Sequence, residues 1–104
     1  MDIKKVQKDV IQNKINHGWA IGNVEREFEL LRGEVEEAYE AYKFQKDDLG
    51  LELADVAIYL LSISEMLGFS LDEEIEKKME INRHRVYKLI DGKYVKFDDR
   101  EIKN

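Results

Sequence analysis

The sequence predicts an all-α fold, a four-helix up-down bundle with a short C-terminal β-hairpin, and three observations predict it. Apolar residues recur at spacings of three and four through four successive segments. Only a few residues connect those segments, so consecutive helices pack as antiparallel neighbours. The chain then changes character, with two β-type runs flanking Asp91-Gly92.

The first helix is expected from the Asp2 cap to about Asn16, with Ile3, Val6, Val10, Ile11 and Ile15 as its apolar stripe. His17-Gly18-Trp19 ends it. Asn23 caps a second helix over about 24–44, whose core face carries Phe28, Leu31, Val35, Ala38 and Tyr42. After the polar connection 45–48, a third helix spans 49–67, with Leu49, Leu53, Val56, Leu60, Ile63 and Leu67 in the core and Gly68 as a left-handed C′ residue. Ser70-Leu71-Asp72-Glu73 has the form of a capping box opening a fourth helix to about Arg85. Runs 86–90 and 93–97 flank Asp91-Gly92, a type I′ turn pair, and continuation of the helix through Ile90 is the competing reading. The charged tail 98–104 is expected to fray.

Composition narrows the function. The 104 residues suit one domain, 1–104, with a helical core over about 2–85 and the hairpin and tail over 86–104. With no cysteine, thiolate nucleophiles and Cys-based zinc sites are excluded. A net charge of -6, spread along the chain, disfavours a nucleic-acid duplex as partner. The N-terminus lacks an apolar targeting segment, and the longest apolar run is too short for a bilayer, so a soluble cytoplasmic protein without membrane contact is expected.

Two acidic pairs stand out, Glu34/Glu37 and Glu52/Asp55, each with a spacing of three that puts both carboxylates on one helix face. On a helical wheel Glu25, Glu29, Glu36 and Glu40 lie opposite the apolar stripe of the second helix, whereas Glu34 and Glu37 lie on its flank beside Leu30 and Ala41. Glu52 and Asp55 flank the stripe of the third helix, in line with Tyr59, Ser62 and Met66. Carboxylates beside a core are normally paired or bound to a metal. Antiparallel packing would bring the four together, and hard divalent cations such as Mg²⁺ are held by oxygen ligands of this kind. Membership of an ordinary acidic surface, or pairing with Lys or Arg, is the plainer alternative.

These runs resemble the MazG-like all-α nucleoside triphosphate pyrophosphohydrolases, whose signature is Glu-Glu-x-x-Glu followed by Glu-x-x-Asp. The corresponding residues are Gly33-Glu34-Val35-Glu36-Glu37 and Glu52-Leu53-Ala54-Asp55, with Gly33 in place of the first Glu. The text from Glu52 to Leu61 and the exit Gly68-Phe69-Ser70-Leu71-Asp72 are also similar, and the likeness covers about 24–85. It implies metal ligands at Glu34, Glu37, Glu52 and Asp55, with Glu34 and Glu37 holding the metal that carries the attacking water. It further implies cleavage between the α and β phosphates of a nucleoside triphosphate, with Mg²⁺ or Mn²⁺ as cofactor and nucleotide-pool housecleaning as the role. Gly33 spares the ligands themselves.

Lys78, Asn82 and Arg85, spaced four and three on the fourth helix, look like the family's end of that helix and are candidates for phosphate oxygens; surface pairing with Glu74 and Glu80 is the alternative. Trp19 with His17 is a candidate for holding the base, against a core or interface anchor. The third helix has more apolar faces than one monomer covers, which predicts a homodimer or homotetramer. Two rivals remain: a relative acting on phosphoribosyl-ATP or one deoxynucleotide, and a non-enzymatic oligomerisation or regulatory module whose acids hold a structural cation.

Overall fold

A computed structural model describes residues 1–19 and 21–101. The chain is mostly helical: α1 (Ile3–Asn16), α2 (Val24–Lys43), α3 (Leu49–Leu67) and α4 (Leu71–Arg83) precede β1 (Arg85–Ile90), β2 (Lys93–Asp98) and a 3-10 turn, Asp99–Glu101. It divides into two compact units, Met1–Leu71 and Asp72–Asn104. Within the described residues no single helix is long and apolar enough to cross a membrane.

The helix starts in the first unit follow local chemistry. Asp2 accepts from the Lys5 N–H at 3.2 Å and Asn23 from the Arg26 N–H at 3.0 Å, each satisfying a donor that the first turn leaves open. Gly68 ends α3 at φ 81°, a left-handed backbone that suits glycine. Both α1 and α2 pack on α3. Their order is antiparallel: Ser62 lies opposite Glu27, and Val35, Tyr42, Leu49 and Val56 line one cavity. On α1, the Gln7 amide donates to Glu65 Oε2 at 2.8 Å and to the Phe69 carbonyl at 2.7 Å, while its oxygen accepts from the Leu71 N–H at 3.1 Å. One glutamine thereby holds the far end of α3 and the turn after it.

The core differs from the stripes read in the sequence. Ala38, Ala41, Leu61 and Ile63 are buried, along with Ser62 and Ser64, whereas Phe28, Val35, Tyr42, Leu53, Leu60 and Leu67 are exposed, Tyr42 at 68%. Helix length explains part of this. At 1.5 Å per residue α1 reaches about 21 Å and α3 about 28 Å, so α1, fixed at Gln7 to the C-terminal end of α3, cannot cover Leu49 to Val56. On α1 itself the most buried residues are Gln7 and Lys14, while Ile15 is exposed.

In the second unit α4 stops at Arg83, two residues before the expected end, and Arg85 pairs with Asp98 as the first step of the hairpin. Asp91 and Gly92 adopt φ 51° and 77°, the doubly left-handed turn that the sequence pair favours, so the competing helical continuation is excluded. His84 joins the elements of this unit: Nε2 meets Glu80 Oε1 at 2.8 Å and Nδ1 meets Asp99 Oδ1 at 2.6 Å. Residues 102–104 of the tail expected to fray lie outside the described residues.

Two outcomes are expected. Gly33 lies within α2, and a Cβ there meets nothing within 4 Å; Gly33→Ala should therefore raise the unfolding free energy by about 0.5–1 kcal/mol in urea titration, without changing the slope. His84 is held above its ordinary 6.5 by its bonds to Glu80 and then Asp99. What it contributes to stability is present in full below 6.5 and lost as pH rises through the elevated value. An NMR titration should place the His84 midpoint above 6.5 and show it falling in Glu80→Gln.

Candidate metal centre

Glu34 and Glu37 are one turn apart on α2, and Glu52 faces them from the first turn of α3. Antiparallel packing brings one oxygen of each within 4.8 Å of the others. Glu34 and Glu52 are half-buried and Glu37 is exposed. Asp55 lies one turn along α3 from Glu52, is exposed, and shares a cavity wall with Glu34. Glu25, Glu29, Glu36 and Glu40 are all exposed, and so is Glu37, so burial separates Glu34, and not Glu37, from the surface acids of α2. The flanks are less buried than the sequence suggests, since Glu37 and Asp55 are both exposed.

Electrostatics mark the cluster as uncompensated. Burial first, then the charges of Glu37, Asp55 and Glu52, push the Glu34 carboxyl above the ordinary carboxylate range. Burial, Glu37, Asp48 and Asp55 raise Glu52 in the same direction. Tyr59, one turn beyond Asp55, is raised by burial and by Glu34, Glu27, Asp55 and Glu37. Among the described residues, the buried side-chain oxygens without a hydrogen-bond partner are Glu34 Oε2 and Glu52 Oε2. Orphaned acceptors of this kind are uncommon in folded proteins. A divalent cation fits them, because its charge offsets the repulsion and its coordination sphere uses oxygens that no donor reaches.

Beside the carboxylates lies a cavity of ≈ 450 Å³ between α1 and α3. Val6, Val10, Ile58 and Tyr59 give it apolar walls, and Asp9, Asn13, Lys14, Glu34 and Asp55 give it polar ones. Trp19 closes one side and is itself 60% exposed. His17 stacks on Trp19 with ring centroids 5.1 Å apart at 27°. Of the proposed phosphate contacts, Lys78 and Asn82 are exposed on α4, and Arg85 is half-buried in β1. The shared helix face expected for all three does not exist, since α4 ends before Arg85.

One feature of the neighbourhood escapes the sequence reading. Lys14 Nζ meets Glu27 Oε2 at 2.6 Å, both side chains being about nine-tenths buried, and Ser62 Oγ approaches the same oxygen at 3.5 Å. Lys14 Nζ also lies 5.0 Å from the centre of the Tyr59 ring. A signal existed: Lys14 continues the Val6, Val10 row at a spacing of four, a charge placed where the helix stripe calls for an apolar residue.

A scan of protein-family models matched none, and searches of curated proteins and of solved structures likewise returned no match.

Because Glu34 is held above its ordinary pKa, its charged form disfavours the metal-free fold. The stability it contributes is present below 4.5 and is lost as pH rises through the elevated value. In chelator, Glu34→Gln should melt higher than the wild type at pH 7 and at the same temperature near pH 4, by circular dichroism.

Proposed function

We propose that this chain is a Mg²⁺-dependent nucleoside triphosphate pyrophosphohydrolase, releasing the nucleoside monophosphate and pyrophosphate. The observation that carries the reading is the convergence of Glu34, Glu37 and Glu52 with Glu34 Oε2 and Glu52 Oε2 left without a donor. The resemblance of the two acidic runs to the MazG-like signature supplies the reaction.

On this reading Glu34, Glu37, Glu52 and Asp55 hold Mg²⁺, or Mn²⁺ in its place, from two facing helices. When bound, the ion offers a Lewis acid to phosphate oxygens and lowers the pKa of a coordinated water. Glu37, the exposed member of the converging three, is placed to accept the proton of the attacking water, since general-base work needs access to the reacting proton as well as basicity. Glu34, drawn into the helix interface, keeps the donor set in place. The cavity beside Glu34 and Asp55 has the size and the mostly apolar walls of a small-molecule site, and its Trp19 face suits a nucleobase, with His17 stacked behind it. Tyr59 borders both the acids and the cavity.

The proposal includes an up-down helical bundle assembled as a homodimer or homotetramer, and a cytoplasmic housecleaning role. An open apolar concavity lined by Val35, Tyr39, Tyr42, Leu49, Leu53 and Val56 supports the assembly. Hydrophobic side chains gathered on one face of a small domain mark an interaction surface.

Pyrophosphate release from a panel of common and modified nucleoside triphosphates tests the reading. Turnover is expected with Mg²⁺ and absent in chelator, and Glu37→Gln should reduce it by about 10²–10⁴-fold. A fully active Glu37→Gln, or a wild type that releases no pyrophosphate from any triphosphate, would overturn it.

A further inference from the structure

Charge along the α1–α3 cavity is unbalanced. Its described lining contains three carboxylates, Asp9, Glu34 and Asp55, and one basic side chain, Lys14. An adjoining cavity of ≈ 270 Å³ is lined by Lys14, Trp19, Arg26, Glu27, Leu30 and Tyr59, and there the cations outnumber the acid. Lys14, Trp19 and Tyr59 line both spaces and so form the boundary between an acidic chamber and a basic one.

Lysine is seldom buried, and here its residue is only 8% exposed. The Glu27 carboxylate at 2.6 Å explains how the charge is tolerated but not why it borders two cavities. A strut joining α1 to α2 would serve as well with two apolar side chains, since replacing a buried ion pair by packed hydrophobics is often neutral or stabilising. An ammonium has three N–H donors, and Glu27 engages one of them. Glu27 and the Tyr59 ring also hold the long side chain in one place, so a ligand that meets it does not have to order it. What the acidic chamber lacks for a phosphorylated ligand is a fixed positive charge.

We propose that Lys14, anchored by Glu27 at the boundary between the two cavities, binds an anionic phosphate group of the ligand. The inference rests on the hydrolase reading for the identity of that ligand. It places the phosphate-binding cation on α1 inside the first unit, where the sequence alone pointed to α4. Arg26, on the wall of the smaller chamber, is itself paired with Glu29 at 3.0 Å, which leaves Lys14 as the cation common to both spaces.

Calorimetric titration with inorganic pyrophosphate, in Mg²⁺ and again in chelator, tests this, with Mn²⁺ alone titrated by electron paramagnetic resonance. Lys14→Met alone strands the buried Glu27 charge, so the informative protein is the double variant Lys14→Met/Glu27→Met. The neutral pair Lys14→Gln/Glu27→Gln serves as a second version in case the first does not fold. Either should weaken pyrophosphate binding about tenfold or more, the loss expected for one charge-assisted hydrogen bond, while Mn²⁺ affinity stays within about twofold because the carboxylates are intact. Lys8→Met, at an exposed position of α1, should change nothing. A double variant that binds pyrophosphate like the wild type, or a wild type that binds none in either condition, overturns the assignment. Failure of the hydrolase reading shows separately, as no turnover and no Mn²⁺ binding by the wild type, and the titration in chelator then judges Lys14 by itself.

Discussion

The antiparallel contact of α2 with α3 imposes a register that buries small residues and opposes like charges at the same time. Ala38 and Ala41 lie within the contact and let the helices approach, and Ser62 is fully enclosed farther along. With those residues in place, Glu34 and Glu37 must face Glu52. No slide of one turn avoids this without pulling Glu27 from Ser62 and exposing the alanines. The packing of apolar and small side chains therefore holds together carboxylates that repel each other, and the raised pKa of Glu34 and Glu52 reflects that opposition.

On α2 the buried Glu27 and the half-buried Glu34 lie about two helical turns apart, and they are treated differently. Glu27 meets Lys14 at 2.6 Å, with Ser62 near the same oxygen, so its charge is compensated within the protein. The charges that raise Glu34 are those of Glu37, Asp55 and Glu52, and one of its oxygens has no partner. Chain composition does not force the contrast, because lysines and arginines are plentiful. That contrast, one carboxylate paired and the next with an oxygen that no donor reaches, is the physical support for the metal site proposed at Glu34.

How much of this was legible in the sequence depends on the range of the interaction involved. The caps Asp2 and Asn23, the Gly68 exit and the Asp91-Gly92 turn are set by bonds within a few residues, and all were readable. So was the alignment of Glu34 and Glu37 with Glu52, because helix period and a short connection suffice for it. What the periodicity could not give was which side of each stripe is covered. Tyr42 and Leu53 repeat like core residues yet are exposed, since coverage depends on the length of α1 and where Gln7 anchors it. The end of α4 was missed because strand pairing of Arg85 with Asp98 competes with helix propensity, and that pairing is a contact across the turn. Lys14 and Glu27 were missed because each looks like a surface charge until the other is brought beside it.

The uncovered face of α2 and α3 and the acidic site are linked mechanically. Val35 alternates with Glu34 on α2, and Leu53 follows Glu52 on α3, so the same two turns present carboxylates to one side and apolar side chains to another. In a single chain, repulsion on the acidic side is opposed by packing between α2 and α3 and by α1, which packs on α3 and pairs Lys14 with Glu27. A second copy seated on Val35, Tyr39, Tyr42, Leu49, Leu53 and Val56 would clamp both helices from outside, resisting the splaying that repulsion favours and removing apolar surface from water. Preorganised ligands bind more tightly because the cost of gathering them has already been met in folding and assembly. The homo-oligomer proposed for this chain is thus more than a remedy for exposed leucines and tyrosines: it would help keep the metal ligands converged before any cation arrives.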